Sequence, residues 1–437
     1  MGSVRIKQGL LFVVLPILLI SLLSACDQFN HDKVQQASFL TQVFGTNPTG
    51  DFKRAYRPHK FSFPRDYAVH PEFRHEWWYF TGNLNATSGQ RFGYELTILR
   101  VALSGQVEEA VLQDTPSQKK QRNGTVEPEL PSSKSALLPG QASGWRSDHF
   151  YIAHFALTDI ENKTFYYSER LSRDAMGLAG AGVYFKEQVD QDSINLRVWL
   201  ADWGVESVGD GIFPVRVYAK DKDVSINLVL RNKKPVVKQG DEGLWTKGQT
   251  PGNAAYYFSI TRMETAGTVE INSQQYAVTG DSWFDREWST TETQSGLPGR
   301  DWFRLQLSDD REIMFHASRD NALDNVIPKN GNLNEYSIGS IVDANGDSRT
   351  LTYDEVEITV VRHWNSPHSN IKYPSTWKIT IPSESLVLQV TPLVEDQELN
   401  LSVRFWEGAV KVSGKQNSDG SIITGYGYVE LSGYTPG

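Results

Sequence analysis

Beyond residue 60, apolar and polar positions alternate in short runs, and almost nothing repeats at the helical period. The runs at 91–103 (RFGYELTILRVAL), 149–160 (HFYIAHFALTDI), 194–203 (INLRVWLADW) and 224–232 (VSINLVLRN) each predict a β-strand. Turn residues separate them, in clusters at 85–89, 161–163 and 220–223. A second series follows at 375–382, 386–393, 403–414 and 425–434. Frequent short strands between turn signals predict an all-β protein made of antiparallel barrels or a sandwich.

Two stretches of this pattern echo one another. EWWYFTGNLNATSGQRFGYELTILR begins at Glu76, and DWFRLQLSDDREIMFHASR begins at Asp301. Each opens on an acid, a Trp and another aromatic, alternates, turns, and returns as an apolar strand. The echo predicts two tandem β-barrels, one over residues 61–290 and one over 291–437. Residues 113–144 interrupt the pattern. They are polar, rich in Ser, Pro, Gln and Lys, and predict a long inserted loop that is a candidate lid.

The N-terminal residues do not alternate. Arg5 and Lys7 precede an apolar run from Leu10 to Leu23, and Ser24-Ala25 lead into Cys26. This predicts a secretory signal over residues 1–25, cleaved before a cysteine that carries lipid. Cys26 is the only cysteine, so no intramolecular disulfide forms. Residues 26–60 are expected to tether the folded part to the membrane. Asp27, directly after the cysteine, points to retention at the inner membrane. The expected setting is the bacterial cell envelope, facing the periplasm.

Composition narrows the function. A formal charge of −9 argues against a nucleic-acid partner. There is no G-x-S-x-G elbow, Walker loop or H-E-x-x-H helix, and the nine His lack ligand spacing. Neither a metal nor a cofactor is expected. Twelve Trp, 18 Tyr and 20 Phe suit a β-rich core and a cavity for an apolar small molecule.

Two stretches hold acids among these aromatics. In HPEFRHEWWYFTGNL (70–84), strand alternation places Glu76, Trp78 and Phe80 on one face and His75, Trp77 and Tyr79 on the other. In GDSWFDREWS (280–289), Asp281, Trp283, Asp285 and Glu287 oppose Phe284, Arg286 and Trp288. A carboxylic acid kept neutral among aromatics can protonate a substrate, and aromatic faces can stabilise the resulting cation. Pairing of these acids with Arg74 or Arg286 would make them structural instead. Because first and last strands of a closed barrel are neighbours, Glu76 and Asp285 are expected to approach one polar spot, with Trp78 and Trp283 nearby.

These blocks follow one another in order with HFALTDI, VWLADW, KKPVVKQGDEG, GNAAYYFSITR, DWFRLQL, WNSP, YPSTW, DQEL, WEGAV and GYVELSGY. Together, over about residues 65–434, they resemble the AttH lipoprotein and carotenoid 1,2-hydratase (hydroxyneurosporene synthase) family. The resemblance implies two lipocalin-like barrels. It implies either association with ABC-transporter components or addition of water to an isoprenoid double bond. The hydratase acid would fall on Asp285, and the Tyr of its Tyr-x-Asp block on Trp283. Tyr256 and Phe258 would stand where that branch has a His and a Trp, and Arg286 separates Asp285 from Glu287.

The sequence is compatible with three functions. The first is a lipid-anchored carrier of an apolar molecule, associated with a transporter. The second is a hydratase or hydrolase with Asp285 and Glu76 catalytic and His75, Trp78, Tyr256, Phe258, Trp283, Glu287 and Trp288 around the ligand. The third is a structural lipoprotein partner of an ABC permease.

Overall fold

The computed structural model describes residues 52–103, 148–185, 194–290, 299–319, 333–416 and 418–436. The signal segment, Cys26, Asp27 and the loop 113–144 lie outside the described residues. Among the described residues the protein is all-β, with three 3₁₀ turns at Arg65–Tyr67, Ala175–Gly177 and Pro382–Glu384. No described helix is long and apolar enough to cross a membrane.

The strands form two curled antiparallel sheets of 13 and 10 strands. At the centre of the first, His75–Ala86 lies between Arg91–Ala102 and Gln274–Ser289. Ala254–Ile271 follows Gln274–Ser289, and His149–Asp159 follows Arg91–Ala102. In the second sheet, Arg300–Leu307 lies between Glu312–Ser318 and Ile422–Ser432, with Arg404–Gln416 next. Each sheet thus places its opening hairpin beside its closing long strand, and the two sequence echoes occupy corresponding places.

Each sheet curls around its own core. Phe80, Leu96, Ile98, Phe284 and Leu228 lie in the first, and Phe303, Leu305, Trp377, Val410 and Val429 in the second. The Val224–Asn232 strand alternates buried and more exposed residues, as expected where one face meets water. His75–Ala86 does not. Apart from half-buried Trp77 and exposed Asn85, all its residues are buried. Its second face is covered by the other sheet, which is why both faces carry large aromatics.

Hydrogen bonds cross this junction. Asn83 Nδ2 donates to the Gly427 carbonyl at 3.0 Å, Thr158 Oγ1 to Gln397 Oε1 at 2.7 Å, and Gln306 Nε2 to the Ser282 carbonyl at 3.1 Å. Gly93 marks a close approach, since a Cβ there would lie 2.4 Å from Ala409 Cβ. Any larger residue would wedge the sheets apart.

The expected tether ends earlier than residue 60. Ala55 is buried in the first core, the Lys53 amide donates to the Glu72 carbonyl at 2.9 Å, and Tyr256 Oη donates to the Arg57 carbonyl at 3.0 Å. Apolar burial and these bonds hold residues 53–60 against the first sheet.

Candidate active site between the two sheets

Where the outer faces of the two sheets meet, they leave a cavity of about 110 Å³. The first sheet contributes His75, Trp77, Tyr79, Tyr257, Asp285 and Glu287. Arg300, Trp302, Arg304, Phe405, Glu407 and Glu430 come from the second. A small adjoining pocket, sharing Trp77, Thr97, His154 and Phe405, is extended by Leu99, Ile152 and Val403. The site therefore has a charged end and an apolar end.

Asp285 is fixed by four donors. Its Oδ1 accepts from Tyr257 Oη (2.8 Å), Ser259 Oγ (2.5 Å) and Trp283 Nε1 (2.8 Å), and its Oδ2 accepts from Arg304 Nε at 2.5 Å. Arg304 in turn lies over the rings of Tyr79, 4.1 Å away, and Trp302, 4.7 Å away. With donors on both oxygens, Asp285 serves as an acceptor that joins the sheets. Asp285 lines the cavity, but these contacts suit a structural acceptor better than the proton donor expected from the sequence.

A second set of carboxyls is placed differently. Glu407 and Glu430 are directly opposed on neighbouring strands, with their side chains on the outer face. Like charges so placed repel, and burial removes the water that would screen them. Burial raises the Glu407 pKa well above the ordinary carboxyl value, and Glu95 and Glu430 raise it further against the pull of Tyr79 and Arg304. Glu430 is also raised by burial, against Arg304 and Arg300. Tyr79 Oη donates to Glu407 Oε2 at 2.5 Å, leaving the other oxygen to carry a proton. Glu95, across the junction on the first sheet, has no hydrogen-bond partner on either carboxyl oxygen at normal geometry. Burial pushes its pKa up to about 7 despite His154 and Thr97.

Lys247 makes a close ion pair with Glu287 and lies 4.2 Å from the centre of the Trp245 ring. Burial brings its pKa down to about 8, with Glu287 opposing the shift and Arg300 adding to it.

Glu76 takes no part in this site. Its strand partner is Trp288, whereas Asp285 pairs with Tyr79, so the two acids point to opposite faces of the sheet. Glu76 is fully buried inside the first sheet. Its Oε1 accepts from Arg100 Nε at 2.9 Å and from the His70 amide at 2.8 Å, and its Oε2 is in close contact with Arg286. Burial works to raise its pKa, but Arg100 and Arg286 outweigh burial and hold the carboxyl well below the usual range. The expected shared spot for Glu76 and Asp285 does not exist, and the expected catalytic role of Glu76 gives way to a buried structural ion pair.

Several expected ligand residues also face inward. Trp78 and Trp288 flank the Arg286 guanidinium at 4.0 and 5.1 Å, and Tyr256 and Phe258 pack in the same core. A shift of one residue along a strand exchanges its faces. Tyr257 and Ser259, rather than Tyr256 and Phe258, therefore face Asp285. His75 and Glu287 do line the cavity, and Trp283 supports Asp285 through its indole nitrogen. The second-sheet residues Arg300, Trp302, Arg304, Glu407 and Glu430 were not anticipated. The available signal was an acid or cation at outward positions of the DWFRLQL, WEGAV and GYVELSGY strands.

Residues 54–434 match the AttH-like family, and the chain belongs to it. Over 249 residues it is 24% identical to the kievitone hydratase of Fusarium solani subsp. phaseoli, a match covering 55% of this chain and 66% of that protein, just under two thirds of its length. The crystal structure of a protein assigned as AttH from Nitrosomonas europaea superposes with a TM-score of 0.67 at 26% identity, over 88% of this chain and 100% of the other. Kievitone hydratase from Nectria haematococca superposes with a TM-score of 0.54 at 17% identity, over 88% and 98%. At that identity the second likeness is one of fold.

Proposed function

We propose that this protein adds water to a carbon–carbon double bond of an apolar substrate held between the two sheets. The observation that carries this reading is the directly opposed pair of buried Glu407 and half-buried Glu430, at the charged end of a cavity whose other end is apolar. The name of the Fusarium relative, a hydratase, points the same way.

Glu407 donates its proton to one alkene carbon, and the cation at the other lies among Trp77, Trp302 and Tyr79. Water adds to that carbon, and ionised Glu430 takes the proton it sheds. The product is the alcohol, and the pair again holds one proton, now on Glu430. Asp285 and Arg304 fix the two walls. A carrier or a structural partner of a permease would need the apolar wall or the outer surface, but not a proton-holding pair.

The test is incubation with kievitone, or with a simpler trisubstituted alkene, in oxygen-labelled water. Mass spectrometry should find one labelled water added by the native protein and almost none added by Glu407→Gln. Equal rates for the two proteins would refute the mechanism. No conversion of either probe by native protein that binds them would return the reading to a carrier.

The N-terminal pattern supports a location for this activity, on the envelope membrane through lipid on Cys26. Cys26→Ser should leave the precursor uncleaved and unacylated. Normal processing and detergent partitioning of that variant would exclude the anchor.

A further inference from the structure

The cavity's charges mostly occur in pairs. Lys247 is matched by Glu287, and Arg304 by Asp285. Arg300 is the exception. It lines the cavity and is half-buried, yet among the described residues its side chain has neither an ion pair nor a hydrogen bond. Its guanidinium carbon lies 5.7 Å from the centre of the Trp245 ring. Glu287 and Glu430 act on it only through space, and burial lowers its pKa. A half-buried guanidinium that lines a cavity without a carboxylate partner is available to pair with an anion that enters it.

The same corner has more donors than acceptors. Trp302 Nε1 and Arg304 Nη1 are buried without an acceptor. His316, packed against Trp245 at 4.4 Å and Trp302 at 5.1 Å, has no partner on either ring nitrogen. Burial holds it neutral, and the nearby Arg300, Lys247 and Arg304 reinforce this. Of the three cations around this neutral imidazole, Lys247 and Arg304 have carboxylate partners, and Arg300 has none among the described residues.

We infer that Arg300, with Lys247 beside it, forms an anion subsite that takes the carboxylate of the substrate while its apolar body extends toward Trp77, Leu99, Ile152 and Phe405. This rests on the reading of the cavity as a substrate site and adds the class of substrate, an apolar carboxylic acid. A carboxylate would complete the Arg300 pair and supply acceptors to a donor-rich wall. It would also fix the substrate's orientation relative to Glu407.

The test measures binding, not turnover, so it stands apart from the test of acid catalysis. Probes are 4-phenylbutanoate and the uncharged 4-phenylbutan-1-ol, followed by tryptophan emission. A charge-assisted pair predicts that the native protein binds the acid about tenfold more tightly than the alcohol, with the preference shrinking as salt is raised. Arg300→Gln should abolish the preference and keep the affinity for the alcohol, and Arg300→Lys should restore part of it. A single cooperative thermal transition establishes that each variant is folded, and Lys247→Met provides a second, independent loss of preference. Equal binding of acid and alcohol by the native protein, a preference that survives Arg300→Gln, or no binding of the acid would each overturn the subsite. Turnover lost in Glu407→Gln alongside any of these results would leave the hydration reading intact.

Discussion

Glu407 and Glu430 face each other across two hydrogen-bonded strands of the second sheet, at the wall of the cavity it shares with the first. Two ionised carboxylates cannot share that spot without a large repulsive cost, so the pair keeps a proton. Glu407→Gln removes the donor and should reduce turnover by about a hundredfold or more, with little effect on binding of an uncharged apolar probe. Steady-state kinetics beside a fluorescence titration separates the two quantities. A matched fall in affinity with unchanged turnover would assign Glu407 to binding.

The acid must be protonated to act, and its pKa is raised. Activity should therefore persist above the ordinary carboxyl range and be lost as pH rises through the folded-state pKa of the pair. A rate that falls off on the acid side alone would place the working group elsewhere.

Asp285 and Arg304 are expected to matter mainly by holding the sheets together. Asp285→Asn leaves a buried guanidinium without its partner and places an amide N–H among donors, which should cost about 3–5 kcal/mol. Denaturant unfolding measures this. Pairing it with Arg304→Met should recover part of the loss, because the stranded guanidinium is gone while Glu430 loses its 3.7 Å contact with Arg304. A double variant as unstable as the sum of the singles would argue against a direct pair.

Glu76→Gln should be similarly destabilising, by about 3–5 kcal/mol, because it strands Arg286 and Arg100 inside the first sheet. Its folded fraction should bind cavity probes as the native protein does. Loss of probe affinity without loss of stability would return Glu76 to the site.

Glu95 links stability to pH. Its pKa rises from 4.5 to about 7 on folding, so over that interval the folded state holds a proton that the unfolded state has released. Stability from this group is complete below pH 4.5 and is lost as pH rises toward 7, by about 3 kcal/mol at most. Glu95→Gln should flatten that part of the stability profile and stabilise the protein above neutrality. An unchanged slope would show that other groups set it.

The fold was legible because alternation, turn clusters and the paired hairpins all recur along the chain. The neighbouring positions of the first and last strands followed from closure of a barrel. The site was only partly legible. Period-two reasoning correctly put Asp285, Glu287 and Trp283 on the face opposite Arg286 and Trp288, but it could not tell which face was inside. Trp78 and Trp77 look equivalent in sequence, yet one packs on Arg286 and the other borders the cavity. That distinction depends on where the second sheet docks, a contact between residues more than 300 apart, as between Tyr79 and Glu407. Arg304 and Glu430 were invisible as site residues for the same reason.

The account depends most on the proton held by the Glu407–Glu430 pair. Infrared difference spectroscopy of native protein minus Glu407→Gln, recorded at a pH above the ordinary carboxyl range, reads that proton directly. The account predicts a protonated-carboxyl band in the difference spectrum that disappears as pH is raised further. A difference spectrum containing carboxylate bands alone would mean that Glu407 is ionised in the resting protein, and would contradict it.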